Sequence, residues 1–282
     1  MDLITEAFEP AFMQRALLAG LIAVIATSLV GTWVVLRGLA FLGDALSHGV
    51  IPGIALAVLW GFSPIVGALA AALVMGGLVT LVSSRHAVRE DTGIGLLFVG
   101  MLSLGIVIIS RAQSFTTEVT ALLFGDVLGV TRGDIRGQIV ATLVVLVVSV
   151  VMYRPFLALT FNRDKAATLG MRPGFSHAVL MALLAVSIVA SFQAVGTLLV
   201  FGLLVGPPAT ASLVVRRVPW MMLTSMAFGG VAVFLGLLVS FHHGTAGGAT
   251  MAGFSVALFF VVLAIRELAD AVGARRHRRA LA

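Results

Sequence analysis

The stretch that decides the fold and the function is residues 37–53, RGLAFLGDALSHGVIPG, which lies between two long apolar runs. Asp44 and His48 are four positions apart in it, so in a helix they share one face, one turn apart. Such a carboxylate and imidazole can hold one divalent cation between them, or they can bind each other as a structural pair. Ionisable groups at membrane depth are costly and therefore indicate function.

The composition predicts a polytopic helical membrane protein. Of the 282 residues, 60% are hydrophobic and only 11% are charged, and the mean hydropathy is +1.14. A soluble domain carries about 25% charged residues. The apolar runs are continuous and do not alternate with polar residues, which disfavours a β-barrel. The chain has no cysteine, so disulfides and thiolate metal sites are excluded.

The apolar runs predict an all-α chain that forms a single transmembrane domain over residues 1–282. A helix needs about 20 apolar residues to cross a bilayer, and about nine runs approach that length. They are residues 12–35, 41–60, 64–83, 93–110, 137–153, 176–193, 195–214, 219–240 and 250–267. Two of these runs are short or interrupted, so eight full spans with one broken or re-entrant helix is the alternative.

Basic residues predict the orientation. They cluster in residues 83–89, in 154–175, at Arg216–Arg217 and in the tail 268–282. These segments all face the cytosol if the N-terminus lies outside and the number of crossings is odd. Segment 154–175 is then the longest inside loop, and a short amphipathic piece there suits a groove on a soluble partner. An ordinary solvated loop is the alternative.

Three apolar runs have features that predict their surroundings. Pro207 and Pro208 interrupt the run 201–211, and because proline removes a backbone donor we expect the helix to break or kink there. Such a break often borders a translocation path, although a purely structural kink fits equally. Residues 67–77 place a ridge of small side chains on one face, Ala68, Ala72 and Gly76, which allows close helix packing. Residues 139–151 are β-branched and apolar all round, so this helix is expected to face lipid.

The missing motifs bear on the source of energy. The chain has no G-x-x-x-x-G-K-[ST], no H-E-x-x-H and no G-x-S-x-G, so a P-loop ATPase, a zinc protease and a hydrolase of those types are not indicated. We therefore expect a protein that is not an enzyme. If it drives active transport, a partner or an ion gradient supplies the energy.

The central stretch resembles the signature of the metal-uptake ABC permeases that import manganese, zinc or iron. The resemblance rests on Arg37-Gly38, on residues 42–48 and on Pro52-Gly53. Further segments match in the same order, namely residues 90–95, 124–128, 193–199 and 206–211. One departure is Gly206-Pro207-Pro208-Ala209, where the family usually has Thr-Pro-Ala-Ala.

The resemblance implies a permease of the ABC importer type in the bacterial cytoplasmic membrane. Two copies would pair with a cytosolic ATPase dimer, and an extracytoplasmic metal-binding protein would deliver the metal. Asp44 and His48 would be the metal ligands of the path or gate. The packing of that path is expected to involve Ser47, Gly49, Pro52, Pro207 and Pro208. The coupling helix on the ATPase would lie in residues 162–170, with Arg163, Asp164, Lys165, Ala166, Leu169 and Gly170.

The ligand types restrict the substrate. A carboxylate and an imidazole suit Mn²⁺, Fe²⁺ or Zn²⁺ and do not suit Cu⁺. We therefore expect no permanently bound cofactor, with Mn²⁺ or Zn²⁺ passing through as the transported ion. His242 and His243, in the last outside loop, are either a first contact site for metal or interfacial residues without a special role. A gradient-driven secondary transporter and a membrane scaffold or enzyme subunit are the functions from other classes.

Overall fold

The chain is a bundle of membrane-length helices. A computed structural model describes residues 2–83, 90–110, 129–161, 163–196 and 200–280, and the regular structure within them is entirely helical. The helices are α1 (Asp2–Phe8), α2 (Ala11–Leu36), α3 (Ala40–Gly49), α4 (Ile51–Trp60), α5 (Pro64–Ser83), α6 (Glu90–Ser110), α7 (Arg132–Val151), α8 (Tyr153–Phe161), α9 (Arg163–Thr168), α10 (Pro173–Val195), α11 (Val200–Val214), α12 (Val218–His243) and α13 (Gly247–Ala280). Among the described residues, eight stretches are long and apolar enough to cross a membrane, and α11 is a shorter apolar helix. The predicted all-α membrane protein with eight to nine spans is confirmed.

The central helix of the bundle is α2. Its candidate span is 72% buried, and it packs against α7, α10, α11 and α12. Gly31 permits the contact with α11, because a Cβ atom at this position would collide with the carbonyl oxygen of Leu204. On the side of α12, Ser225 donates a hydrogen bond of 2.9 Å to the buried hydroxyl oxygen of Ser28. Helix α2 therefore contacts both α10, which follows segment 154–175, and α11, which carries the two prolines.

The second span is the broken one. Its 21 residues, Ala40–Trp60, are divided into α3 and α4 at Val50, and Pro52 lies in the first turn of α4. Proline has no N–H to give to the preceding turn and is well tolerated at the start of a helix. A broken span is thus present directly after the Asp44–His48 pair, at a place where the sequence had predicted no break.

The break predicted at Pro207 and Pro208 is wrong, because α11 continues through both residues from Val200 to Val214. A proline at position 208 leaves the carbonyl of Leu204 without its usual helical donor. This carbonyl faces Gly31 of α2, so a neighbouring helix covers the freed group, as membrane depth requires. The backbone changes direction earlier, at Gly196, where φ is +88°.

Helix α11 crosses the bundle in the same direction as α13. Ser255 donates a hydrogen bond of 2.8 Å to the carbonyl of Gly202, and Arg266 donates one of 3.0 Å to the carbonyl of Leu213. The residue numbers rise together along both helices, so α11 and α13 are parallel and α12 returns between them. Counting α11 gives an odd number of crossings. The orientation with all basic segments on one side stays a prediction, and this count agrees with it.

The outer helices of the bundle expose much of their apolar surface. The candidate spans of α6, α13 and α7 are only 17%, 22% and 28% buried. Most of residues 139–151 on α7 are exposed as expected, but its inner face carries the buried polar side chains of Gln138, Thr142 and Ser149. The small-residue ridge on α5 is buried, and Gly76 packs against Met181 of α10.

Candidate metal site and its connections

Asp44 and His48 lie one above the other on α3, as the spacing predicts. The Oδ1 atom of Asp44 is 3.7 Å from Nε2 of His48, and the two side chains are 33% and 22% exposed. A separation of 3.7 Å is too long for a hydrogen bond. Two ligands about 2.1 Å from one tetrahedral metal ion stand about 3.4 Å apart. The geometry is compatible with two ligands of one ion and also with a direct ion pair between the two side chains, so the metal role stays a prediction.

Asp44 and His48 lie near the mid-depth of the bundle, although they are close in sequence to the start of α3. Gly43, beside Asp44, packs against the Leu204 side chain, since a Cβ on Gly43 would stand 2.6 Å from Leu204 Cδ2. The hydrogen bonds from α13 to the carbonyls of Gly202 and Leu213 align α11 with α13. In this alignment Leu204 is level with the middle of the candidate span Gly247–Val272. An ionisable pair at this depth is still partly exposed, so it reaches the surface of this chain and is not enclosed in its packed core.

The small residues next to the pair serve helix packing. The hydroxyl of Ser47 donates a hydrogen bond of 2.9 Å to the carbonyl of Gly43 and is buried, so it does not face the pair. Gly49 lies under the sulfur atom of Met75, where a Cβ would collide. Pro52 is buried at the joint between α3 and α4. The structure thus brings these three residues together around the break, while their role in a path or gate stays a prediction.

The two prolines on α11 are buried close to the same region. Leu204 contacts both Gly43 of α3 and Gly31 of α2, and Pro207 lies near Gly229 of α12, where a Cβ would stand 3.4 Å from its Cγ. The two stretches that the sequence singled out, 37–53 and 201–211, are therefore in contact. Pro207 and Pro208 themselves support the packing of α11 and are not at a chain break.

The segment predicted to couple to an ATPase is folded as two short helices, α8 and α9. Ala166 is 1% exposed, whereas Leu169 is 69% exposed, and Gly170 ends the segment with φ +72°. Helix α9 begins at Arg163, while residue 162 and the side chains of Asp164 and Lys165 lie outside the described part. Ala166 thus packs on the bundle while Leu169, just after α9, is exposed, and the coupling role of the segment stays a prediction.

One contact ties the end of α2 to α10, and another ties α2 to α8 of this segment; the sequence reasoning missed both. Nη1 of Arg37 is 3.0 Å from Nδ1 of His177 near the start of α10, and the arginine donates this hydrogen bond. The indole ring of Trp33 packs edge-on against Tyr153 and Phe156 of α8, with centroids 5.6 and 5.7 Å apart. An ionisable residue inside a predicted span was the signal that could have identified His177.

A third missed residue is Phe98 on α6, whose ring packs against the imidazole of His48 with centroids 5.4 Å apart. The sequence gave no reason to select it, because it is one of 18 phenylalanines and only the packing of α6 on α3 brings it to the pair.

The outer histidines stand apart from this site. His242 and His243 are exposed at the end of α12, and their Nδ1 atoms lie 2.9 and 3.2 Å from the carbonyls of Leu238 and Val239. Within the part of the chain that the structure describes, no three histidine, cysteine, aspartate or glutamate side chains are grouped to hold a metal ion. Among the described residues, Asp44 and His48 are therefore joined by no third side chain of these types.

A multi-pass helical bundle with one carboxylate–imidazole pair beside a broken helix defines a membrane transport protein. The model of the ABC 3 transport family matches residues 9–266, and the chain belongs to this family. It is therefore a permease subunit of an ABC transport system and a multi-pass protein of the bacterial cell membrane.

Curated relatives support this assignment along nearly the whole chain. The manganese import system permease protein ScaB of Streptococcus gordonii is 34% identical over 250 residues, which cover 89% of this chain and 90% of that protein. The chelated iron transport system membrane protein YfeD of Yersinia pestis is 34% identical over 264 residues, covering 94% and 88% of the two chains.

Solved structures share the fold. PsaBC from Streptococcus pneumoniae, in complex with a Fab, matches with a TM-score of 0.82 and 30% identity over 93% of this chain and 94% of that chain. A metal-chelate type ABC transporter in an inward-facing conformation matches with a TM-score of 0.70 over 89% and 85% of the two chains, and its 17% identity shows the fold alone.

Proposed function

We propose that this permease forms the translocation path of an importer for divalent transition metal ions, with Mn²⁺ or Zn²⁺ as the substrate and Fe²⁺ as a further candidate. Asp44 and His48 bind the ion on its way through the membrane. The observation that carries the proposal is the 3.7 Å separation between Oδ1 of Asp44 and Nε2 of His48 at the mid-depth of the bundle. The two side chains lie next to the joint between α3 and α4. The relatives named above are manganese and iron transport proteins, which supports the same substrate class.

The proposed site binds weakly enough to release its ion. One carboxylate and one imidazole leave most coordination positions of Mn²⁺ or Zn²⁺ open. Water fills these positions in a single chain, and in a dimer a second pair can fill them. We propose that the functional unit contains two copies of this chain, which the poorly buried faces of α6, α7 and α13 leave room for.

The proposed energy source is a pair of cytosolic ATPases that dock on α8 and α9, with hydrolysis in those partners. A metal-binding protein on the outer side delivers the ion. The helical segment with its buried and exposed sides supports the first partner. Membership in an ABC transport family supports both.

The test is uptake into proteoliposomes that contain the permease, its ATPase and its metal-binding protein. We expect uptake of radioactive manganese or zinc to require ATP and to show which of the two metals is the substrate. Uptake that ignores ATP and follows a proton gradient would contradict this proposal and support a secondary transporter. The structure offers little for that alternative, since Asp91 and Asp134 lie in the first turns of α6 and α7, and Glu267 lies toward the end of the candidate span Gly247–Val272.

The contact between Arg37 and His177 gives a prediction about coupling. Arg37→Ala is expected to lower the metal imported per ATP hydrolysed several-fold, because it removes a charge-assisted bond between the end of α2 and the helix that follows the docking segment. Arg37→Lys retains a donor and should be less affected. Uptake and ATP hydrolysis are measured in the same vesicles.

A matched control is Arg266→Ala, which also removes a guanidinium hydrogen bond, to the carbonyl of Leu213, but on the exposed surface of α13. Both variants should assemble with the ATPase. If Arg37→Ala and Arg266→Ala import the same amount of metal per ATP hydrolysed, the hydrogen bond between Arg37 and His177 has no part in transmitting the movement of the ATPase.

A further inference from the structure

We propose that Phe98 is a positioning residue for the metal site, holding the imidazole of His48 in the orientation in which it binds the ion. This inference rests on the proposed function of Asp44 and His48. The ring of Phe98 meets the imidazole in a T-shaped contact, with centroids 5.4 Å apart and planes at 71°. Aromatic pairs favour this edge-to-face arrangement.

His48 needs such support because no hydrogen bond to a described residue fixes its ring. Both of its ring nitrogens lack a hydrogen bond to the described part of the chain, and Nε2 is 3.7 Å from Asp44. A histidine that binds metal normally donates its second N–H to a carboxylate or a carbonyl, which sets the ring orientation. At His48, packing against Phe98 takes the place of that hydrogen bond.

Phe98 is itself fixed by a second ring. Phe41 and His48 lie two turns apart on α3 and hence on one face, and Phe98 contacts both, with a centroid distance of 6.0 Å to Phe41. The side chain of Phe98 is thus inserted between two rings of α3. This arrangement leaves the imidazole little freedom to turn away from Asp44.

The same helix also contacts the joint of the broken span. Gly105 lies two turns after Phe98 on α6. A Cβ at this position would stand 2.8 Å from Cγ2 of Ile51 and 3.2 Å from the backbone nitrogen of Pro52. Helix α6 is otherwise poorly buried, with 17% of its span covered. It packs against α3, α4 and α5, so a shift of α6 relative to α3 would alter the support of His48.

The experiment measures equilibrium binding of radioactive Mn²⁺ to the permease–ATPase complex in nanodiscs, together with the KM and the maximal rate of uptake. Phe98→Ala is expected to weaken Mn²⁺ binding about tenfold, the lower end for residues that orient metal ligands, and to raise KM more than it lowers the maximal rate. Phe98→Tyr keeps the ring edge and should bind like the wild type. Phe98→Leu keeps much of the volume without the ring and should resemble Phe98→Ala.

Two controls separate positioning from folding. Phe175→Ala makes the same substitution on α10, at a ring that is 57% exposed, and should change nothing. In a His48→Gln background, Phe98→Ala should add no further loss, because the ring that it orients is gone. A further loss of the same size in that background would overturn the positioning role.

The outcomes also distinguish this inference from the proposed function. A wild-type complex that neither binds nor transports Mn²⁺ or Zn²⁺ contradicts the function proposed for the site, and the role of Phe98 falls with it. A working wild type whose Phe98→Ala and Phe98→Leu variants bind Mn²⁺ normally contradicts the role of Phe98 alone.

Discussion

Asp44→Asn and His48→Ala are each expected to reduce ATP-driven metal uptake to background, a loss of more than about a hundredfold. Removing a residue that merely orients a metal ligand costs about 10–100-fold, and these changes remove the ligands themselves. Asparagine keeps the shape of Asp44 but loses the negative charge that compensates the cation at mid-depth. Uptake of manganese and zinc in proteoliposomes measures the effect.

Both variants should still fold and assemble with the ATPase. The two side chains are 33% and 22% exposed and are not hydrogen-bonded to each other, so neither change leaves a buried partner unsatisfied. Asp270→Asn makes the same chemical change at a carboxylate that is 74% exposed and paired with Arg266 at 4.0 Å, and it should transport normally. Uptake at the wild-type rate by purified Asp44→Asn or His48→Ala would exclude the proposed metal role.

Gly67→Ala is expected to destabilise the folded protein by about 3 kcal/mol, at the upper end of the cost of overpacking. Gly53 of α4 and Gly67 of α5 face each other so closely that a Cβ on either would collide with the carbonyl oxygen of the other. The new methyl group would also stand 2.8 Å from Cβ of Ala57. Backbone atoms cannot rotate away as a long side chain can, so the two helices must separate.

The control is Gly77→Ala, the same substitution on the same helix. Gly77 is exposed, and a Cβ there meets nothing within 4 Å. Alanine is favoured over glycine inside a helix by roughly 0.5–1 kcal/mol, so this variant should be as stable as the wild type or slightly more so. Apparent melting temperatures in detergent compare the two, and equal values would show that the contact between α4 and α5 is looser than described.

Much of the architecture could be predicted from local sequence because bilayer thickness fixes the length of an apolar helix. The nine predicted runs correspond to the eight long spans and α11. The four-residue spacing likewise placed Asp44 and His48 on one face, as observed. The small-residue ridge at Ala68, Ala72 and Gly76 is buried as expected. Each of these features depends on residues that are close together in the chain.

The position of the helix break was predicted only in part. Proline was expected to interrupt a helix at Pro207 and Pro208, but both lie inside α11, whereas the divided span is the one that contains Pro52, where no break was predicted. Local chemistry says that a proline frees a carbonyl. Whether the helix must then break depends on what covers that carbonyl, and at Leu204 it is Gly31 of another helix.

The sequence by itself determined the class of protein, the number of spans and the pairing of Asp44 with His48, because hydropathy and helical period are properties of neighbouring residues. Only the tertiary structure decided that the pair lies level with the middle of the candidate span Gly247–Val272, that Phe98 contacts His48, and that Arg37 bonds to His177. Arg37 and His177 are 140 positions apart in the chain. Contacts of this kind arise from how whole helices pack, and no local pattern specifies which side chains then meet.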